Sequence, residues 1–117
     1  MDHFNNPRNT RRLANPSCVG QADFERGFFL KIELFVQNDL IEEACFSTMG
    51  CVPAIACGSA ATELALGKTI EQARMIEPAT LYERLGGLPR DRIFCAALAV
   101  SALRKALDDY QIQRASR

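Results

Sequence analysis

The 117-residue chain is long enough for one domain with a sizeable core and needs no metal or disulfide staple to fold. Apolar residues make up 48 % and 14 basic residues balance 14 acidic ones, so no net field draws the chain toward nucleic acid or an anionic membrane. No apolar run approaches the roughly 20 residues of a membrane span, no secretory segment opens the chain, and five cysteines without paired spacing read as reduced thiols. These features predict a cytoplasmic protein.

The first 17 residues carry turn-forming Asn-Pro pairs, in "NNPRN" and "NPS", and are predicted to form a flexible arm on a single domain spanning 1–117. A short strand is expected to begin near Cys18. In "FFLKIELFV" (28–36), Phe28, Leu30, Ile32, Leu34 and Val36 alternate with Lys31 and Glu33, the period of a half-buried strand. Asn38 and Asp39 supply turn chemistry, and "LIEEACFSTM" (40–49) returns, with Leu40, Ala44 and Phe46 assigned to one face and Ile41, Cys45 and Met49 to the other.

After Met49 the period changes to helical. Pro53 suits a first helical turn, and Gly67 marks the end of that helix. Thr69 to Gln72 and Thr80 to Glu83 both read as capping boxes opening short helices. In "LPRDRIFCAALA" a proline primes a last helix of about five turns, whose apolar stripe is expected at Ile93, Ala97, Val100, Leu107 and Tyr110. Strands first and helices afterwards predict an α+β fold: a small antiparallel sheet of about three strands, helices packed on one face, and a long C-terminal helix.

Cys51 stands just before one predicted helix and Cys95 in the first turn of another. The unpaired N–H groups and partial positive charge of a helix start favour thiolate, the form that binds metal or accepts sulfur. Cys57 and Cys45 read as small packing residues, and Cys18 is unassigned. His3, the single histidine, lies in the arm and leaves no evident Cys-His pair. A thiol-dependent transferase using Cys51 or Cys95 as nucleophile stays open on the residues alone.

The motifs "HFNNPRN", "FSTMGCVPAIACGSAATEL", "GKTIEQA" and "LPRDRIFCAALAVSAL" followed by "LDDY", in that order, resemble the IscU/NifU-type iron-sulfur cluster assembly scaffolds over nearly the whole chain. The resemblance implies the same α+β fold and no enzymatic turnover. It implies a site at which Cys51 and Cys95 hold a transient iron-sulfur cluster or, in purified protein, zinc. Its implied partners are a cysteine desulfurase and an Hsp70-type chaperone, the latter at a segment echoed by Leu88, Pro89 and Arg92.

Where the family places a first cysteine, an aspartate and a histidine, this chain has Phe24, Arg26 and Phe94. Phenylalanine has no lone pair for a metal, so the ligand set is altered, and Cys18 is within chain reach as a further donor. Two functions follow from the resemblance: a scaffold with an altered ligand set, or an adaptor of the assembly machinery that binds no cluster.

Overall fold

A computed structural model describes residues 13, 16–24 and 27–115. Three strands, β1 (Cys18–Asp23), β2 (Phe29–Gln37) and β3 (Leu40–Met49), form an antiparallel sheet in the order β1-β2-β3. Four helices follow: α1 (Val52–Ala65), α2 (Ile70–Arg74), α3 (Pro78–Arg84) and α4 (Phe94–Ala115), with a short 3₁₀ turn at Arg90–Arg92 before the last. The expected α+β architecture with a long C-terminal helix is the observed one.

The β2–β3 hairpin forms because both turn residues, Asn38 and Asp39, adopt positive φ (56° and 63°), the geometry that matches the right-handed twist of paired strands. On the inner face, Cys18 pairs with Leu34, Gly20 with Ile32 and Ala22 with Leu30, while Phe46 lies opposite Ile32 and Ala44 opposite Leu34. All are buried under α1 and α4, so this layer is the core.

Three sequence expectations are corrected by local geometry. A register shift between Phe35 and Val36 inserts an extra β3 residue, so Ile41 rather than Leu40 joins Ala44 and Phe46 in the core. Leu40 is left exposed. The α4 stripe is corrected at its start: Ile93 and Ala97 are exposed, whereas Val100 and Leu107 are buried and Tyr110 packs against the core as expected, and Cys95, Ala99, Ala102, Leu103 and Ala106 complete the buried face.

The third correction concerns capping. Thr69 caps α2 in a reciprocal box: its Oγ1 accepts from the Gln72 N–H at 3.2 Å, and Gln72 Oε1 accepts from the Thr69 N–H at 3.1 Å. Thr80 instead lies inside α3, which begins two residues earlier at Pro78, where a missing N–H costs nothing. Thr69→Ala is therefore expected to lose about 1 kcal/mol of stability in urea unfolding. Thr80→Ala should stay within about 0.5 kcal/mol of the parent. Equal losses would show that the two threonines play the same part.

The opposite end of the molecule from the helix starts is tied by polar contacts. The Val19 N–H donates to Asp109 Oδ2 at 2.9 Å, and Ser17 bridges to β2 through its N–H to the Leu34 carbonyl (2.7 Å) and its Oγ, which accepts from the Val36 N–H (3.0 Å). Ser17, placed by sequence in the flexible arm, is thus part of the sheet's hydrogen bonding. Residues 1–12, with His3, lie outside the described residues.

Candidate functional site

Cys51 is the N-cap of α1, with extended backbone (φ −97°, ψ 172°) and a carbonyl that accepts the Ala54 and Ile55 N–H groups. Its thiol makes no capping bond to the helix, and Pro53 removes one of the donors such a bond would serve. The sulfur turns instead to the start of α4. Cys51 Sγ and Cys95 Sγ stand 3.9 Å apart, across 44 residues of sequence. Cys51 is half-buried and Cys95 fully buried, so the pair is approached through Cys51.

Phe24 and Phe94 flank this pair. Phe24 follows β1, its N–H donating to the Phe28 carbonyl at 2.8 Å across the tight β1–β2 connection. Its ring stacks on that of Phe94, the residue before Cys95, with centroids 4.3 Å apart and planes 17° from parallel. Phe24 remains 41 % exposed, and Phe94 packs against the core. Two residues read from sequence as separate departures from the family pattern therefore form one aromatic contact beside the sulfur pair. Neither residue alone signalled it; their assignment to neighbouring ligand positions was the available clue.

Electrostatics at Cys95 run against the sequence expectation. Burial pushes its thiol up to about 12, the neighbouring Cys51 charge and the Cys51 hydrogen bond push the same way, and the Arg92 guanidinium only partly offsets them. Desolvation outweighs the helix-start field because the sulfur has no access to water. Cys95 in the metal-free protein is a thiol, not an activated thiolate. A positively charged metal ion is what would draw off the proton, since metal binding and thiol deprotonation are linked.

The other cysteines divide between the core and the far end. Cys57, inside α1, is completely buried and also pushed up to about 12, first by burial and then by the charges of Cys95 and Cys51, so it lies behind the pair. Cys45, on the outer face of the sheet, donates to the buried Glu33 carboxylate at 3.1 Å, a polar role that its apolar neighbours in sequence concealed.

Cys18 opens β1, is 2 % exposed, and has its thiol raised to about 12 by burial and by Asp109. Asp109 is 14 residues along α4 from Cys95, roughly 20 Å at 1.5 Å per residue. The structure therefore does not bring Cys18 to the Cys51–Cys95 pair: β1 runs away from the site, with its Asp23 end, not its Cys18 end, nearest the Phe24 ring. Arg26 lies outside the described residues. Among the described residues, no group of three or more His, Cys, Asp or Glu side chains is placed to hold a metal ion.

A three-stranded sheet under helices, with two cysteines meeting where two helices begin, defines a small thiol-bearing α+β domain. The model of the NifU-like N terminal domain family matches residues 1–117, and the chain belongs to that family. It is 44 % identical over 111 residues to the iron-sulfur cluster assembly scaffold protein IscU 1 of Archaeoglobus fulgidus, spanning 94 % of this chain and 72 % of that protein. It is 37 % identical over 117 residues to the iron-sulfur cluster assembly scaffold protein IscU of Aquifex aeolicus, spanning 97 % of this chain and 74 % of the relative. Among solved structures, a nitrogen-fixing NifU-like protein (N-terminal) from Brucella abortus has the same fold, with a TM-score of 0.74 at 15 % identity over 97 % of this chain and 92 % of that one.

Proposed function

We propose that this protein is an iron-sulfur cluster assembly scaffold that accepts sulfur and transiently holds a cluster through Cys51 and Cys95. Family membership and relatives named as scaffolds support the reading. The observation that carries it is the 3.9 Å separation of the two sulfurs. Two thiolates bound to one tetrahedral metal ion at about 2.3 Å lie about 3.8 Å apart, so the pair is preset to chelate a single metal. The relatives named as scaffolds favour this reading over an adaptor that binds no cluster.

Cys51 is the sulfur an approaching donor reaches first. A desulfurase would hand over the outer sulfur of its cysteine persulfide: the Cys51 thiolate attacks that sulfur, the donor's S–S bond breaks, and the donor leaves as thiolate. The segment Leu88 to Arg92 comes shortly before Cys95 in the chain, separated from it by Ile93 and Phe94, which supports a chaperone contact near the site. Zinc fits the same two thiolates and is expected as an occupant of purified protein. The protein carries its cargo and turns over no substrate of its own, and the cytoplasm, where thiols stay reduced, suits such a site.

Anaerobic incubation with ferrous iron and sulfide is expected to give visible sulfur-to-iron charge-transfer absorption. Cys51→Ser or Cys95→Ser should lose at least nine-tenths of it, while Cys45→Ser keeps it. Protein that stays colourless, or a colour indifferent to both substitutions, would sink the proposal.

A further inference from the structure

Sulfur handed over as the outer atom of a persulfide is formally neutral, whereas a cluster takes it up as sulfide, so two electrons have to enter between acceptance and assembly. Two thiols that become one disulfide give up two electrons. Cys51 and Cys95, with sulfurs 3.9 Å apart, are such a pair.

Resting on the scaffold reading, in which Cys51 accepts the sulfur, we propose that Cys95 reduces it: the Cys95 sulfur attacks Sγ of the persulfidated Cys51, the outer sulfur leaves as hydrosulfide, and a Cys51–Cys95 disulfide remains. The bond between Cys51 and the outer sulfur breaks with its electron pair going to the outer sulfur. The new bond forms from an electron pair of Cys95, whose thiol proton passes to the departing sulfur. Between them the two cysteine sulfurs lose two electrons, and the outer sulfur gains them.

The placement of the pair suits that displacement. The attacking electron pair enters the antibonding orbital of the S–S bond, so nucleophile and leaving group stand on opposite sides of the sulfur between them. Cys95 is fully buried and Cys51 half-buried, which puts Cys95 on the protein side of the Cys51 sulfur and a sulfur delivered from outside on the solvent side. The Cys51 thiol makes no capping bond to α1, leaving its side chain free for the closing movement of roughly 2 Å that a disulfide asks for. The Phe24–Phe94 stack beside the pair brings no metal ligand, and this step needs none. It is also single-use. Each chain releases one sulfide and stops until an external dithiol opens the disulfide at Cys51, the sulfur within reach of solvent, after which both thiols are again available to metal.

Anaerobic mixing of the dilute, fully reduced chain with one equivalent of cysteine persulfide, followed by time-resolved intact mass and a sulfide assay, tests the proposal. The parent chain is expected to become one sulfur heavier, then two hydrogens lighter than at the start, with one sulfide released per chain and a peptide map joining Cys51 to Cys95. Cys95→Ser should keep the added sulfur and release sulfide at least tenfold more slowly. Cys95→Ala repeats that reading without a hydroxyl in the buried position, and the parent chain's own time course decides should both substitutions disturb the fold. A parent chain that passes through a cysteine adduct, joins Cys51 to Cys57, or stays one sulfur heavier until a dithiol is added would overturn the reduction step. Each of those results leaves the scaffold reading standing, because reconstitution from iron and sulfide does not pass through a persulfide. A chain that takes up neither sulfur nor cluster would overturn both.

Discussion

Gly20→Ala is expected to destabilise the domain by about 3 kcal/mol or more, the upper end of what overpacking a core costs. The reason is the approach of β1 to α4. A Cβ built on Gly20 would overlap the backbone nitrogen of Ala106 and the carbonyl oxygen of Ala102, with the Lys105 carbonyl carbon 2.7 Å away. These are backbone atoms in the middle of a 22-residue helix, so no side-chain rotation relieves the contact and the helix as a whole has to lift. Ala102 and Ala106 are already small, which leaves nothing to trim in compensation.

For a domain of this size that loss lowers the thermal midpoint by roughly 10–20 °C. Gly67→Ala is the matched comparison: Gly67 has positive φ (79°) but open space around it, so alanine there bears only a backbone penalty of about 1 kcal/mol. Denaturant and thermal unfolding of both variants separate the effects. If Gly20→Ala proved no worse than Gly67→Ala, α4 would not lie as close to β1 as the structure places it.

That contact also marks where sequence reading stops. Local chemistry announced the β2–β3 hairpin, because strict alternation and an Asn-Asp turn act within ten residues. It announced α1 and α2 through Pro53, Gly67 and the Thr69 box for the same reason. It misplaced the start of α3 because a proline at the first helical position and a Thr-x-x-Glu pattern two residues later compete, and the proline fixes backbone angle before a side chain can cap. The β3 face was misread because one inserted residue reverses alternation and leaves no mark in composition.

The site was legible in a different way. Cys51 and Cys95 were both visible as residues at helix starts, but nothing local states that two helix starts 44 residues apart meet at 3.9 Å. The family resemblance supplied that pairing. Cys18 shows the converse: the span of an extended chain sets only a maximum distance, and pairing with Leu34 turned the residue away from the site. The reversal at Cys95, from expected thiolate to thiol, follows from burial, which depends on contacts that sequence does not list.

Buried thiols also give the domain an alkaline limit. Cys18 and Cys57 are 2 % and 0 % exposed, and each is raised from 9.0 to about 12, in both cases mainly because burial penalises the thiolate. In the unfolded chain both titrate near 9. Above that pH the unfolded state binds fewer protons than the folded one, so unfolding free energy falls with rising pH. Each such thiol contributes a slope of about −1.4 kcal/mol per pH unit, and two contribute roughly −3 kcal/mol per unit. The stabilisation is complete below pH 9 and is lost progressively between 9 and 12.

Since a domain has about 5–15 kcal/mol in total, two thiols are enough to bring the native state to its limit within that window. Cooperative unfolding is therefore expected between about pH 10 and 12, followed by circular dichroism under reducing, anaerobic conditions. Replacing both residues, Cys18→Ala with Cys57→Ala, removes two of the three buried thiols raised to about 12 and leaves Cys95. It lowers stability at pH 7 through lost packing, but it should flatten the decline above pH 9 by roughly 3 kcal/mol per unit. The slope, not the midpoint, is the decisive reading, because cavities change the midpoint without changing proton uptake. An unchanged slope in the double variant would mean that these sulfurs reach solvent before the fold gives way.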